Sequence, residues 1–131
     1  PLPSNYQRVK KKCMSEGKKV LYVDDEEINL LIFSKKMEKE YHVITAESGE
    51  KGLRILEKDL DIEHIVSDLK MPGMSGLEFI EKAKAKFPEK KYYILSGYAK
   101  NREMQDAIDS GLILAYWMKP VDFKKISEAL K

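Results

Sequence analysis

Cysteine is almost absent from this chain: Cys13 is the one thiol in 131 residues. No disulfide within the chain can form, and no cysteine-based metal site, which fits a reducing cytoplasm; Cys13 itself reads as inert. There are only two histidines, His42 and His64, each beside a predicted strand and outside any motif, so both read as structural. Long apolar runs are missing, since none approaches the roughly 18–20 residues of a membrane helix. No charged-then-apolar signal peptide opens the chain. Charge of one sign is lacking too: Asp, Glu, Lys and Arg make up 35% of the chain, yet the formal net charge is +2. The pairs Lys18-Lys19, Lys35-Lys36, Lys90-Lys91 and Lys124-Lys125 stand among many acidic residues and read as solvated surface. That balance supports neither a nucleic-acid surface nor membrane contact. No Gly-x-x-x-x-Gly-Lys-Ser/Thr or Gly-x-Gly-x-x-Gly loop follows a predicted strand, which argues against a nucleotide-binding domain.

What is present suits one domain with one core: 131 residues, 43% of them apolar. Residues 1–17 hold two prolines and the basic run Lys10-Lys11-Lys12, and read as a tail or linker. Residues 18–131 alternate strand and helix patterns. Val20-Leu21-Tyr22-Val23 is a short apolar strand ending at Asp24-Asp25. Glu26-Glu27 opens a helix, acidic at the positive end of its dipole, with Ile28, Leu31, Phe33 and Met37 expected inward. A second strand over 42–46 precedes a helix carrying Leu53, Leu56 and Leu60. Ile65-Val66-Ser67-Asp68 is the third strand, and its loop, with Met71, Pro72 and Met74 packing, leads to a helix burying Leu77, Ile80, Ala83 and Phe87. Strand four runs over 91–96. The next helix turns Met104, Ala107 and Ile108 inward and ends at Gly111. Strand five covers 113–118, with Trp117 a packing residue, and Asp122 caps a last helix carrying Phe123, Ile126 and Leu130.

Five strands alternating with five helices predict an α/β fold, a (βα)₅ doubly wound parallel five-stranded sheet with strands buried on both faces. In such sheets ligands sit at the carboxyl ends of the strands, near the switch in strand order. Asp24, Asp25, Asp68, Ser96 and Lys119 all fall at such ends. Three converging carboxylates repel one another, and a divalent cation relieves the repulsion. All-oxygen ligation points to Mg²⁺. Asp68 then has the chemistry of a nucleophile toward phosphorus, giving an aspartyl phosphate. Lys119 supplies an ammonium and Ser96 a hydroxyl for the phosphoryl oxygens.

The segments Val23-Asp24-Asp25-Glu26, Ser67-Asp68-Leu69-Lys70-Met71-Pro72-Gly73-Met74-Ser75-Gly76, Leu95-Ser96-Gly97-Tyr98-Ala99 and Met118-Lys119-Pro120, in this order, resemble the response-regulator receiver family of two-component signalling, with its flavodoxin-like fold. The resemblance spans 18–131. It implies that Asp68 is the phosphoacceptor, Asp25 a direct Mg²⁺ ligand, Asp24 the holder of metal-bound water and the Lys70 carbonyl a third protein ligand. It implies that Ser96 is the switch hydroxyl, Lys119 the phosphate-contacting lysine and Tyr116 the aromatic whose rotamer follows phosphorylation. Lys70 and Tyr98 are expected over the phosphoryl group, tuning its lifetime. The partners implied are a histidine kinase or phosphotransfer protein as donor and a downstream protein reading the face of the fourth helix, fifth strand and fifth helix, with a homodimer possible. The domain would catalyse its own phosphorylation and dephosphorylation in a bacterial cytoplasm.

Plainer readings stand beside these. Alone, Asp25 is a helix cap, Lys119 a surface lysine and Ser96-Gly97 a turn. A degenerate receiver serving as an interaction module is the alternative function, but all the site residue types are present. A phosphatase of the haloacid-dehalogenase type would need Asp-x-Asp after the first strand, whereas Asp24 and Asp25 are adjacent. Pro1-Leu2-Pro3 resembles the last strand of histidine-kinase ATP-binding domains, which would make this the receiver of a hybrid histidine kinase. Vector-derived residues, or a native start at Met14, account for the same tail, and the chain leaves no room for an output domain after its last helix.

Overall fold

The computed structural model describes residues 18–131. The strands are β1 (Lys19–Val23), β2 (His42–Ala46), β3 (His64–Ser67), β4 (Lys91–Ser96) and β5 (Ala115–Met118). The helices are α1 (Glu27–Met37), α2 (Gly49–Lys58), α3 (Gly76–Lys86), α4 (Arg102–Asp109) and α5 (Phe123–Leu130). All strand pairs are parallel, in the order β2-β1-β3-β4-β5. The predicted (βα)₅ sheet is therefore the observed one, with its switch point between β1 and β3.

Alternation along the strands divides the core in two. Val20, Tyr22, Val66, Tyr93 and Leu95 face α1 and α5, where Leu30, Phe33, Met37, Ile126 and Leu130 are buried. Leu21, Val23, Ile65, Tyr92 and Ile94 face α2, α3 and α4, packing on Leu56, Phe79, Ile80, Ala83 and Met104. Trp117 stacks on Tyr93, ring centroids 5.2 Å apart, as a packing residue. The helices start on polar caps: Ser48 accepts from the Lys51 N–H and Asn101 from Met104, Ser75 and Glu78 form a reciprocal capping box, and Asp122 accepts from Lys124. Gly111, at φ +84°, takes the left-handed conformation after α4 that favours glycine.

Several expectations need correction. Ile28 and Leu31 point outward, 59% and 54% exposed, and Leu30 takes the inner position. Leu60 lies beyond the end of α2 and is exposed. Burial on both faces holds for β1, β3 and β4 but not for β2 and β5, because these are the sheet edges. The third strand ends at Ser67, leaving Asp68 as the first loop residue, and the fifth begins only at Ala115. Phe87, Ile108 and Phe123 are half-buried, and Pro72 is exposed although Met71 and Met74 do pack on the core. His42 is exposed, whereas His64 is buried with its Nδ1 3.2 Å from the Tyr93 hydroxyl. The readings of Cys13, Met14 and residues 1–17 fall outside the described residues.

Candidate functional site

Asp24 and Asp25 follow β1, and Asp68 follows β3, so the three carboxylates flank the switch point. One oxygen from each lies within 4.8 Å of the others. Lys119 follows β5 and reaches back between them: its Nζ is 3.0 Å from Asp24 Oδ2 and 3.5 Å from Asp68 Oδ1. Residues separated by 95 positions in the chain thus meet because the parallel strands end at one edge. An all-oxygen carboxylate set of this kind can hold a hard divalent cation.

The two neighbouring aspartates differ sharply. Asp24 is fully buried. Its Oδ1 accepts from the Glu26 N–H at 2.9 Å, and its Oδ2 accepts from the Tyr22 hydroxyl at 2.7 Å and from Lys119. Asp25 is exposed, and among the described residues no side-chain hydrogen bond holds it. It does not cap α1, whose N-cap residue is Glu26; Asp24 serves that turn instead. The plain capping reading of Asp25 therefore fails.

Asp68 is buried and has its carboxyl pushed up to about 6, chiefly by loss of water, with Lys119 opposing the shift and Asp24 adding to it. Burial, reinforced by the hydrogen bond to Asp24, pushes the Tyr22 hydroxyl well above the usual phenol range. Behind Asp68, a Cβ on Gly76 would stand 2.0 Å from the Asp68 carbonyl oxygen. The start of α3 can therefore close on the Asp68 loop only with glycine there, and the Gly76 N–H donates to the Leu69 carbonyl at 2.8 Å.

Ser96 is fully buried at the end of β4, and its hydroxyl oxygen accepts from the Tyr98 N–H at 3.1 Å. Tyr98 is exposed, with the Lys70 ammonium 5.2 Å from its ring centroid. Tyr116 is half-buried, and its hydroxyl donates to the Tyr98 carbonyl. Asp25, Asp68, Lys70, Tyr98 and Lys119 line one cleft of about 390 Å³ together with Glu26, Asn29 and Gly97. Asn29 and Tyr22 are functional-site residues beyond the sequence expectations: Asn29 lies one helical turn beyond Asp25, and Tyr22 shares a strand face with Asp24, a spacing that by itself names no partner for the hydroxyl.

Fold and cleft together define a class: a doubly wound α/β domain with an acidic, lysine-bearing cleft at its switch point. The chain belongs to the response regulator receiver domain family, which it matches over residues 20–131. It is 31% identical over 115 residues to response regulator protein VraR of Staphylococcus saprophyticus, covering 86% of this chain and 54% of that one. It is 28% identical over 116 residues to sporulation initiation phosphotransferase F of Bacillus subtilis, covering 88% of this chain and 92% of that one. Against the hydrogenase transcriptional regulatory protein HoxA of Cupriavidus necator the identity is 28% over 101 residues, covering 77% of this chain and 21% of that one. The chain thus spans between about a fifth and about half the length of VraR and HoxA. A receiver domain protein from Clostridium thermocellum has a similar structure, with a TM-score of 0.80 at 30% identity over 86% of this chain and 90% of that one. So does TrrA from Thermotoga maritima in complex with Mg²⁺ and BeF, with a TM-score of 0.74 at 27% identity over 86% of this chain and 96% of that one. Among the described residues no helix is long and apolar enough to cross a membrane.

Proposed function

We propose that this domain accepts a phosphoryl group on Asp68 from the phosphohistidine of a histidine kinase or phosphotransfer protein. The observation that carries the reading is the convergence of Asp24, Asp25, Asp68 and Lys119 in one cleft at the switch point. A carboxylate oxygen of Asp68 bonds to phosphorus as the bond from phosphorus to the donor imidazole nitrogen breaks, the electron pair returning to the ring. Lys119 moves its ammonium toward the phosphoryl oxygens, and the Ser96 hydroxyl donates to one of them. Asp24, Asp25, Asp68 and the Lys70 carbonyl are the residues that would hold Mg²⁺. The ion supplies positive charge against the carboxylates and the transferring group. Asp25 and Asp68 would ligate it directly and Asp24 through water.

The donor needs a surface beside the cleft. α1 carries Ile28, Leu31 and Ile32, all exposed, and Ile32 shares a pocket wall with Asn29, which lines the cleft. The signal leaves by the face of α4, β5 and α5. Ser96 gives up its bond from the Tyr98 N–H, and Tyr116 releases the Tyr98 carbonyl and turns inward, biasing a two-state surface toward its reader. The receiver unit is residues 18–131, working in the cytoplasm and touching no nucleic acid itself, either as part of a hybrid histidine kinase or beside another output. Incubation with labelled acetyl phosphate tests the chemistry. Wild type should take up label only with Mg²⁺, and Asp68→Asn should take up none; equal labelling of that variant would overturn the assignment.

A further inference from the structure

Asp24 carries more hydrogen bonds than a holder of metal-bound water needs, and one comes from a side chain with no part in the chemistry above. Its two oxygens meet three donors: the Glu26 N–H, the Tyr22 hydroxyl and the Lys119 ammonium. The carboxylate is fully buried, so apart from a Mg²⁺-bound water no solvent molecule replaces a donor that leaves. At rest Lys119 sits closer to Asp24, at 3.0 Å, than to Asp68, at 3.5 Å. A phosphoryl group on Asp68 draws that ammonium toward its own oxygens. Asp24 Oδ2 then loses its charged donor, a costly change for a buried carboxylate unless another donor remains.

Tyr22 is that donor, and it is fixed in place. β1 is an inner strand, with Tyr22 paired opposite Thr45 on one side and Val66 on the other. The ring lies flat on Phe33, centroids 4.2 Å apart and planes 10° from parallel, and is almost wholly buried. The hydroxyl therefore stays on Oδ2 whatever Lys119 does. Resting on the phosphoacceptor reading, we propose that Tyr22 is a positioning residue whose hydroxyl holds the Asp24 carboxylate satisfied while Lys119 turns from it to the phosphoryl group on Asp68. A buried phenol also needs a partner for its own sake, and that plainer account assigns it no influence on Lys119.

The two accounts separate in Tyr22→Phe, which keeps the ring on Phe33 and removes only the hydroxyl. Mg²⁺ alone brings no phosphoryl oxygens to draw Lys119 from Asp24; Mg²⁺ with beryllofluoride, a phosphoryl mimic on Asp68, does. Both affinities are read by Trp117 fluorescence or amide NMR on wild type and variant, with thermal melts as a folding control. Tyr22→Phe should bind beryllofluoride at saturating Mg²⁺ about tenfold more weakly, the scale of one hydrogen bond to a buried charge, with a much smaller change for Mg²⁺ alone. Labelling by acetyl phosphate should slow by a similar factor. Wild-type beryllofluoride affinity in the variant overturns the proposal, as does an equal loss of both affinities. If wild type itself neither binds beryllofluoride nor takes label, the phosphoacceptor reading falls; if wild type does both and the variant matches it, only the role of Tyr22 falls.

Discussion

The inner wall of the cleft and its outer rim are built on different terms. Asp24 and Ser96 are fully buried with their hydrogen bonds assigned, and Lys119 is held against two carboxylates. Asp25, Lys70 and Tyr98 are exposed, and a cation–π contact is the tie between the last two. A buried polar group has few allowed arrangements, so the wall fixes where charge develops. Exposed groups can change without disturbing the core, so on the proposed reading the rim is where metal exchange and signal lifetime would be adjusted. The wall should therefore respond to substitution through stability and chemistry together, and the rim through binding and rate alone.

The largest expected effect on the rim comes from Asp25→Ala. If Asp25 is one of two direct carboxylate ligands, as proposed, its removal should lower Mg²⁺ affinity on the order of a hundredfold. Labelling should fall with it. Because Asp25 is exposed and does not cap α1, the melting temperature without Mg²⁺ should stay unchanged or rise slightly as repulsion is relieved. An unchanged Mg²⁺ titration, followed through Trp117 or NMR, would remove Asp25 from the ligand set. A large loss of stability would instead make it part of the wall.

On the wall, Asp68→Asn should make the metal-free protein more stable at neutral pH while abolishing its chemistry. The Asp68 carboxyl is pushed up to about 6 from an ordinary 3.8, so between those values the folded state binds more protons than the unfolded one. Stability is then highest below about 3.8 and is lost as pH rises through about 6. At pH 7 the ionised carboxyl costs up to about 3 kcal/mol, and the amide removes that cost. His64, whose pKa burial lowers, acts in the opposite sense, losing stability as pH falls through 6.5, but it is common to both proteins and cancels in their difference. Urea melts at pH 7.5 and pH 4 without Mg²⁺ decide it: the gain should be large at the first and small at the second. No gain at pH 7.5 would mean that the carboxylate is not under strain in the resting cleft.

How far the sequence revealed this contrast depended on the kind of signal. Strand ends are legible because apolar runs stop at polar or charged residues, which places Asp24, Asp25, Asp68, Ser96 and Lys119 on one edge from the sequence alone. The inner face of α1 was not. Ile28, Leu30, Leu31, Ile32 and Phe33 are apolar nearly all round, so helical periodicity offers two faces and cannot rank them. Leu30, Phe33 and Met37 are the buried set, leaving Ile28 and Leu31 exposed to solvent. The bond from Tyr22 to Asp24 was hidden by composition, since a tyrosine in an apolar strand counts as core until its hydroxyl is given a partner. The need for glycine at position 76 was equally silent, because it arises from the approach of the Asp68 carbonyl across a loop.

The smallest effect expected is also the one that best sharpens the difference between wall and rim. Lys70 and Tyr98 line the cleft that contains Asp68. Water that hydrolyses an aspartyl phosphate must approach in line from the open side of the cleft, and near-attack geometry governs its rate. On the proposed reading the Lys70 ammonium would add positive charge near the phosphoryl oxygens, while the Tyr98 ring would obstruct the approach. Self-dephosphorylation should therefore be slow, and Lys70→Ala and Tyr98→Ala should each speed it by about two- to fivefold, the scale of one exposed contact. Since the ammonium rests over the ring, each side chain helps hold the other in place. The double variant should then decay more slowly than the product of the two single effects requires, because removing the first already releases the second. Phosphoryl decay in wild type, both single variants and the double variant gives the four rates needed. Multiplying effects would make Lys70 and Tyr98 independent groups, and unchanged decay throughout would leave the open side of the cleft without a shield.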